Sequence, residues 1–418
     1  MSGSGRELPD EQGCVEWLLE RVAEHVRREV GEDTPLIECG LDSVALLSLY
    51  GTVEEEFGPL SDEPVDLWPY LTVRTLAQRL TGQDEPVAAD ARPRTALVFT
   101  GQGCQHPGMT EGLHRQCTAY RHHLAAADEA LAPHLGRSVV ELIRGKSPAV
   151  DETALAQPAL FAVGYALAAT LLEEGVRPVA LLGHGAGEFA AATACGALSL
   201  PDAAHLVSAR GALMQQLPSN GGMMATCADP YEAAEAVAAE PGVSIGALNA
   251  ARATVLSGDL PGLRRASGRL GERGISSTFL KVTHAFQSPL MEPVAPLLEE
   301  AARRLPAAAP TTPFYSTVYG RRYDAPPDAG YWARHVTSPV RFADAMRALL
   351  AEQRPTHVVE VGPKAVLLPF VRRMGGRTGP RCLPMCRGPR TNAVDLAGIL
   401  SALDAGPLAE DSGHAPRW

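Results

Sequence analysis

No uninterrupted apolar run in this 418-residue chain reaches ~18 residues, the length a membrane-spanning helix requires. The first residues, MSGSGRELPDEQ, lack the apolar core of a signal peptide, so the expected setting is the cytoplasm, with no membrane partner. Paired cysteines are lacking as well. The eight present (Cys14, Cys39, Cys104, Cys117, Cys195, Cys227, Cys382 and Cys386) are scattered, and Cys382 with Cys386 does not have the spacing of a structural zinc site, so free thiols and no metal are expected. Positive charge is in deficit. Against 48 Asp and Glu stand 37 Lys and Arg, and the net charge of −11 suits a basic protein surface better than nucleic acid phosphates, so no nucleic acid partner is expected. With 45% hydrophobic and 20% charged residues, disorder over most of the length is excluded and more than one core can be buried.

Residues 84–94, DEPVAADARPR, hold two prolines and alternating charges without an apolar period, the signature of an exposed linker. Before it, residues 10–83 read as all-helical: Val15, Leu18, Leu19, Val22 and Val26 recur at helical spacing, and the stretch from Ser43 to Phe57 repeats the pattern. After it, over 95–404, short β-type runs (TALVFT, VALL, HVVEV) are each followed by a glycine-containing turn and then a helical pattern, which predicts an α/β unit on a mainly parallel sheet. Between about 221 and 282, strand-like and helical segments alternate at shorter range, as expected of an inserted small α+β subdomain of ferredoxin-like type. Residues 405–418 read as a loose tail.

In GLDSVALLSL, Ser43 follows Asp42 at the start of a helical pattern, with Gly40 loosening the loop before it. A hydroxyl there lies at a helix N-terminus, where free N–H groups and the helix dipole favour an attached phosphate; the competing reading is that Asp42 or Ser43 caps the helix. The segment as a whole, with G-x-D-S at Gly40 to Ser43, resembles an acyl carrier protein. The resemblance implies a four-helix bundle whose Ser43 receives 4′-phosphopantetheine from a phosphopantetheinyl transferase and carries an acyl group as a thioester. Glu54, Glu55 and Glu56 would lie on or near a face that basic partner enzymes recognise, or form a solvated face.

The blocks FTGQGCQHPGM, AQPALFAVGYAL, LLGHGAGEFAA, ARGALMQ, VTHAFQSPLMEPV, YWARHVTSPVRF and VEVGP follow one another through the larger unit. LLGHGAGE reads as a strand entering a sharp turn and then a helix, the setting of a nucleophile elbow. Taken in order, the blocks resemble the malonyl-transferase type of acyltransferase domain of polyketide and fatty acid synthases, with its hydrolase-like core. That resemblance puts Gly185 at the position of the family's serine nucleophile and Gln287, ending His284-Ala285-Phe286-Gln287, at that of its histidine base. Glycine has no oxygen with which to form an acyl-enzyme, and a glutamine amide has no pKa suited to proton transfer. Arg210 falls where the family holds a malonyl-type carboxylate, and Gln102 with the backbone N–H of Ala186 where it binds an oxyanion; His284 corresponds to a pocket wall. An internal salt bridge for Arg210 and a brace of the turn for Gln102 remain the competing accounts. His184, Glu188, Asn249 and Arg341 read as architecture, and Ser288, Thr283 and Cys195 as nucleophiles without an evident base.

Three functions follow. In the first, the larger unit is a binding and recognition module for an acyl carrier or a polyketide synthase. In the second, the old pocket acts on a carrier-bound acyl chain, or takes an acyl-CoA, by decarboxylation, ring closure or direct thioester exchange. In the third, an ordinary transferase has been inactivated by engineered substitution at Gly185 and Gln287.

Overall fold

Local capping and an apolar stripe already account for the first helix, Glu11–Ala23: the Asp10 side chain accepts the Gly13 N–H at 2.8 Å, while Cys14, Val15, Leu18 and Val22 are fully buried. The structure, a computed structural model, describes residues 10–24, 30–33, 49, 52–53, 56, 72–80, 93–145, 147–376, 379–388 and 390–405. It divides the chain into two units, Met1–Ala91 and Arg92–Trp418. In the first, the buried residues of Glu11–Ala23 cluster with Leu49, Val53 and, from helix Val73–Leu80, Val73, Leu76 and Ala77. Arg74 ties that second helix to Glu32 and Asp33. Gly40, Asp42, Ser43, Glu54 and Glu55 lie outside the described residues, as do most of the linker and all but Ala405 of the tail.

In the second unit the strands are β1 (Thr95–Phe99), β2 (Ala180–Gly183), β3 (Gly221–Thr226), β4 (Val243–Ala250), β5 (Ala253–Asp259), β6 (Ser277–Phe279), β7 (Phe314–Ser316), β8 (Arg321–Arg322), β9 (His357–Val361) and β10 (Arg381–Pro384). The larger sheet runs β10-β9-β1-β2-β7-β8. Its first five members are parallel, as the sequence suggested for most of the sheet, and β8 is antiparallel to β7, which makes the sheet mixed at that edge. The reason is local: β7 and β8 are joined by a turn closed by Gly320 N–H donating to Ser316 O at 2.8 Å, and so short a link permits only an antiparallel pair.

Helix Thr153–Glu173 is long and apolar enough to cross a membrane by length and composition alone, but 83% of its apolar stretch is buried inside this unit. It packs as a core helix with apolar residues all round, and Gln157 is a fully buried polar exception on it.

The smaller sheet runs β4-β5-β3-β6, antiparallel throughout, with helices Pro230–Val237 and Leu260–Glu272 following β3 and β5. That is a β-α-β-β-α-β order. Met224, Leu256, Leu263 and Leu270 fill its core, and the buried Glu240 carboxylate is held by Arg265 and Arg269, each at 2.6 Å. Strand β4 reaches the larger sheet's elements through Val340, whose N–H donates to Gly246 O and whose carbonyl accepts from Leu248 N–H, both at 2.9 Å.

At the end of β9 the buried Glu360 accepts the N–H groups of Val366 (2.6 Å), Leu367 (2.9 Å) and Leu368 (2.9 Å), closing the start of helix Leu368–Gly375. An amide at this position brings an N–H group against a donor. Glu360→Gln is therefore expected to lower the unfolding free energy by about 1–3 kcal/mol in a denaturant titration. A variant as stable as the parent would remove Glu360 from the account of how this helix is held.

Candidate functional site

Strand β2 ends at Gly183, the chain turns through His184 and Gly185, and helix Gly187–Ala194 begins. The turn is sharp because backbone packs on backbone. A Cβ on Gly183 would collide with the backbone of Gly187 and Glu188, and one on Gly187 would lie 2.5 Å from Phe99 O and 2.7 Å from Thr100 O. Across the gap, a Cβ on Gly101 would strike the His184 carbonyl, so the loops after β1 and β2 touch without side chains between them. His184 N–H donates to Phe99 O at 2.9 Å, and His184 Nε2 is hydrogen-bonded to Asn249 Oδ1 on β4 at 2.8 Å.

Gly185 differs from its neighbours. Its φ is 51°, but an added Cβ would meet nothing nearer than Val340 Cγ2 at 3.8 Å, an ordinary contact. The elbow thus has room for a side chain that the sequence does not supply. Beside it, the N–H groups of Gln102 and Ala186 meet no acceptor among the described residues. Two backbone donors without acceptors, one on each of two touching loops, are the elements of an oxyanion site.

Behind this pair runs a buried polar chain. The Gln102 side chain donates to Thr153 Oγ1 at 3.4 Å and accepts from Gln157 Nε2 at 3.1 Å, and Gln157 Oε1 accepts from Arg210 Nη1 at 2.8 Å. Arg210 is 2% exposed and its Nε has no partner. No carboxylate among the described residues approaches its nitrogens within ion-pair distance; the competing internal salt bridge is therefore not formed among them. Burial pulls its pKa down to about 10, with the Glu188 charge acting in the opposite sense.

Glu188, fully buried on the elbow helix, accepts the Thr317 N–H at 2.5 Å and the hydroxyls of Thr317 and Tyr331. Burial raises its pKa to about 7 against these hydrogen bonds and the Arg210 charge. His335 Nε2 donates to Gly185 O at 3.0 Å, which leaves Nδ1 buried without a partner. Burial, then the Arg210 charge, lowers the His335 pKa to about 3, so this imidazole is neutral.

The segment 283–287 also reaches β4. Ser244 Oγ on β4 donates to Gln287 O at 3.1 Å, while β4 also holds Val340 and His184. Gln287 is 6% exposed with φ 54°, and its side-chain amide has no hydrogen bond to the described residues. His284 is held at both ring nitrogens: its Nδ1 faces Thr283 Oγ1 at 2.8 Å and its Nε2 faces Leu217 O at 3.1 Å.

Three sequence candidates serve the architecture. Ser288 Oγ donates to Ala285 O at 2.7 Å and caps the 3-10 turn Pro289–Val294. Cys195 ends the elbow helix, donates to Ala192 O at 3.3 Å, and has its thiol pushed up to about 12 by burial. Arg341 pairs with Asp344 at 2.8 Å. Gln157, Thr317, Tyr331 and His335 were not singled out from sequence, although three of them lie in or beside quoted blocks. The signal available for Gln157 was an amide side chain within a mostly apolar helix.

The family profile described as "Acyl transferase domain" matches residues 96–395, and the one described as "Phosphopantetheine attachment site" matches residues 16–80. The chain belongs to the acyl transferase domain family and carries a phosphopantetheine attachment region before that domain. Polyketide synthase GfsB of Streptomyces halstedii is 37% identical over 333 residues, covering 77% of this chain and 6% of that protein. Spectinabilin polyketide synthase system protein NorB of Streptomyces orinoci is 36% identical over 326 residues, 74% of this chain and 15% of that protein. The chain therefore spans only a small part of the curated relatives it matches. Among solved structures, the acyltransferase domain from the second module of the salinomycin polyketide synthase is 36% identical with a TM-score of 0.68, covering 74% of this chain and 73% of that one.

The glycine contacts give a test of the elbow. Gly185→Ala is expected to cost about 1–2 kcal/mol, the strain of a left-handed residue, and Gly187→Ala to cost more, by an overpacking penalty of about 1–3 kcal/mol. Thermal unfolding of both variants measures the order; equal losses would contradict the steric account.

Proposed function

We propose that the larger unit binds a carboxyacyl thioester for recognition of an acyl carrier or synthase, without forming an acyl-enzyme, while the smaller unit carries its own acyl chain on 4′-phosphopantetheine at Ser43. The observation that carries this reading is the elbow at Gly185. The glycine contacts close the turn, and a Cβ on Gly185 would meet nothing nearer than Val340 Cγ2 at 3.8 Å, so the apex supplies no side-chain oxygen. By resemblance Gly185 and Gln287 occupy the places of nucleophile and base, and losing such a unit costs on the order of 10⁶ in turnover.

The pocket keeps features that suit a ligand. Arg210 is a buried cation with one neutral hydrogen bond and an open Nε, and a planar guanidinium is matched to a carboxylate. The N–H groups of Gln102 and Ala186 suit a thioester carbonyl oxygen. These same donors favour a second reading, in which the pocket polarises a bound thioester for decarboxylation, ring closure or direct exchange with a thiol. In either reading modular polyketide synthase proteins and a phosphopantetheinyl transferase are the partners, and malonyl-CoA is the natural probe.

Intact mass after incubation with malonyl-CoA tests the proposal. A Ser43→Ala variant is expected to show no acyl adduct, whereas Gly185→Ser combined with Gln287→His in that background is expected to gain one. An adduct on the Ser43→Ala protein itself would overturn the loss of covalent transfer. Arg210→Ala is expected to weaken malonyl-CoA binding roughly 10- to 100-fold, the loss of charge-assisted hydrogen bonds to one carboxylate; unchanged affinity would take Arg210 out of the site.

A further inference from the structure

The peptide unit between Gly185 and Ala186 carries both a carbonyl that is held at the elbow and one of the two donors that meet no acceptor among the described residues. It is trans and planar, so its N–H points away from its carbonyl, and whatever fixes the direction of one fixes that of the other. Two donors reach the Gly185 carbonyl: Glu188 N–H at 2.9 Å, from the turn itself, and His335 Nε2–H at 3.0 Å, from helix Ala329–Thr337, 150 residues away in sequence. We infer that His335 is a positioning residue of the oxyanion site: by holding the Gly185 carbonyl on one side, it aims the Ala186 N–H on the other at the carbonyl oxygen of a bound thioester. The inference rests on the proposed binding of a carboxyacyl thioester and names the residue through which the pocket recognises the thioester carbonyl as well as the carboxylate.

The imidazole is packed into a single orientation. His335 is 3% exposed; Phe189 of the elbow helix and Trp332 meet its ring edge to face, with centroids 5.6 and 5.5 Å away, and Tyr331 stacks at 6.5 Å. A carbonyl oxygen only accepts, so Nε2 bears the proton. Nδ1 is buried without a partner, and a second proton there would add a buried charge and a donor with no acceptor. The ring is therefore a neutral donor of fixed direction. Glu188 Oε2 lies 3.8 Å from Nε2, beyond hydrogen-bond reach, and that carboxylate is taken up by Thr317 and Tyr331, which leaves Nε2–H to the Gly185 carbonyl.

Glycine at the apex is what gives this anchor its importance. A residue without a Cβ lets its flanking peptides rotate at little steric cost, and a swing of the 185–186 peptide would turn the Ala186 N–H out of the site. No side-chain packing at the apex restrains it, since even an added Cβ would meet nothing nearer than Val340 Cγ2 at 3.8 Å. The Glu188 N–H belongs to the same turn and moves with it, whereas His335 stands outside the turn. A hydrogen bond to an amide oxygen also polarises the amide and strengthens its N–H as a donor. Gln102 lies on the loop after β1 and is independent of His335, so loss of the imidazole weakens one donor of the pair and leaves the other.

The test compares malonyl-CoA with carboxyethyl-CoA, a thioether in which a methylene replaces the thioester carbonyl: the two share the carboxylate and differ in the oxygen that the Ala186 N–H would meet. Affinities are measured by calorimetry on the full chain carrying Ser43→Ala, which offers no arm to acylate. The parent is expected to prefer malonyl-CoA, and His335→Phe to lose about 3- to 10-fold of that preference, the worth of one neutral hydrogen bond, with carboxyethyl-CoA binding unchanged. His335→Gln, whose amide nitrogen can donate from the same place, is expected to restore most of the preference. Should His335→Phe fail to fold, His335→Met against His335→Gln makes the same comparison at matched side-chain length, the preference being expected in the second alone. Equal affinity of the parent for the two ligands, a preference that His335→Phe or His335→Met leaves intact, or an equal loss for both ligands overturns the role of His335; malonyl-CoA binding that still depends on Arg210 then leaves the proposed function standing. Absence of any Arg210-dependent binding of either ligand overturns the proposed function and this inference with it.

Discussion

The site depends on two loops meeting backbone to backbone. Gly101 against His184, Gly187 against Phe99 and Thr100, and Gly183 against Gly187 and Glu188 leave no volume for side chains. Gln102 follows Gly101 on one of these loops and Ala186 precedes helix Gly187–Ala194 on the other. At the apex, a Cβ on Gly185 would meet only Val340 Cγ2 at 3.8 Å, so a side chain there is no part of the packing that closes the turn.

Beneath the turn the controlling quantity is charge. Arg210, Glu188 and His335 are all nearly inaccessible to solvent, and each responds in the direction that burial demands: the cation and the imidazole toward lower pKa, the acid toward higher. His335 is useful in this setting because it stays neutral. Its Nε2–H anchors the Gly185 carbonyl without adding a second positive charge beside Arg210. Glu188 gains from the arrangement in a different way, since Thr317 and Tyr331 donate to it from a separate element and tie the elbow helix to the chain beyond β7.

The α/β organisation was legible from TALVFT, VALL and HVVEV because a buried parallel strand followed by a glycine turn and a helix leaves a local pattern. The antiparallel β8 was not, since two arginines at an exposed edge carry no apolar signal. Gln102, Ala186, Arg210, His284 and Gln287 were reached through the ordered blocks; their geometry was not. Gln157 joins Arg210 to Gln102 across more than fifty residues of sequence, and a contact of that separation exists only after the helices pack. Likewise nothing in the neighbourhood of Glu188 in sequence announces Thr317 or Tyr331, which lie more than a hundred residues away.

The buried network also bears on which kind of module the larger unit is. Leaving a guanidinium in an apolar interior with one neutral partner and an open Nε is costly, and replacing a buried ionic group by a well-packed apolar residue is often stabilising. A shell used only for its outer surface gains nothing from Arg210 and would be more stable without it. The same holds for the donors at Gln102 and Ala186, which await an acceptor. Such costs are offset when a ligand supplies a carboxylate and a carbonyl oxygen. That asymmetry is in keeping with the proposed reading, in which a ligand's carboxylate meets Arg210 and no bond forms to residue 185.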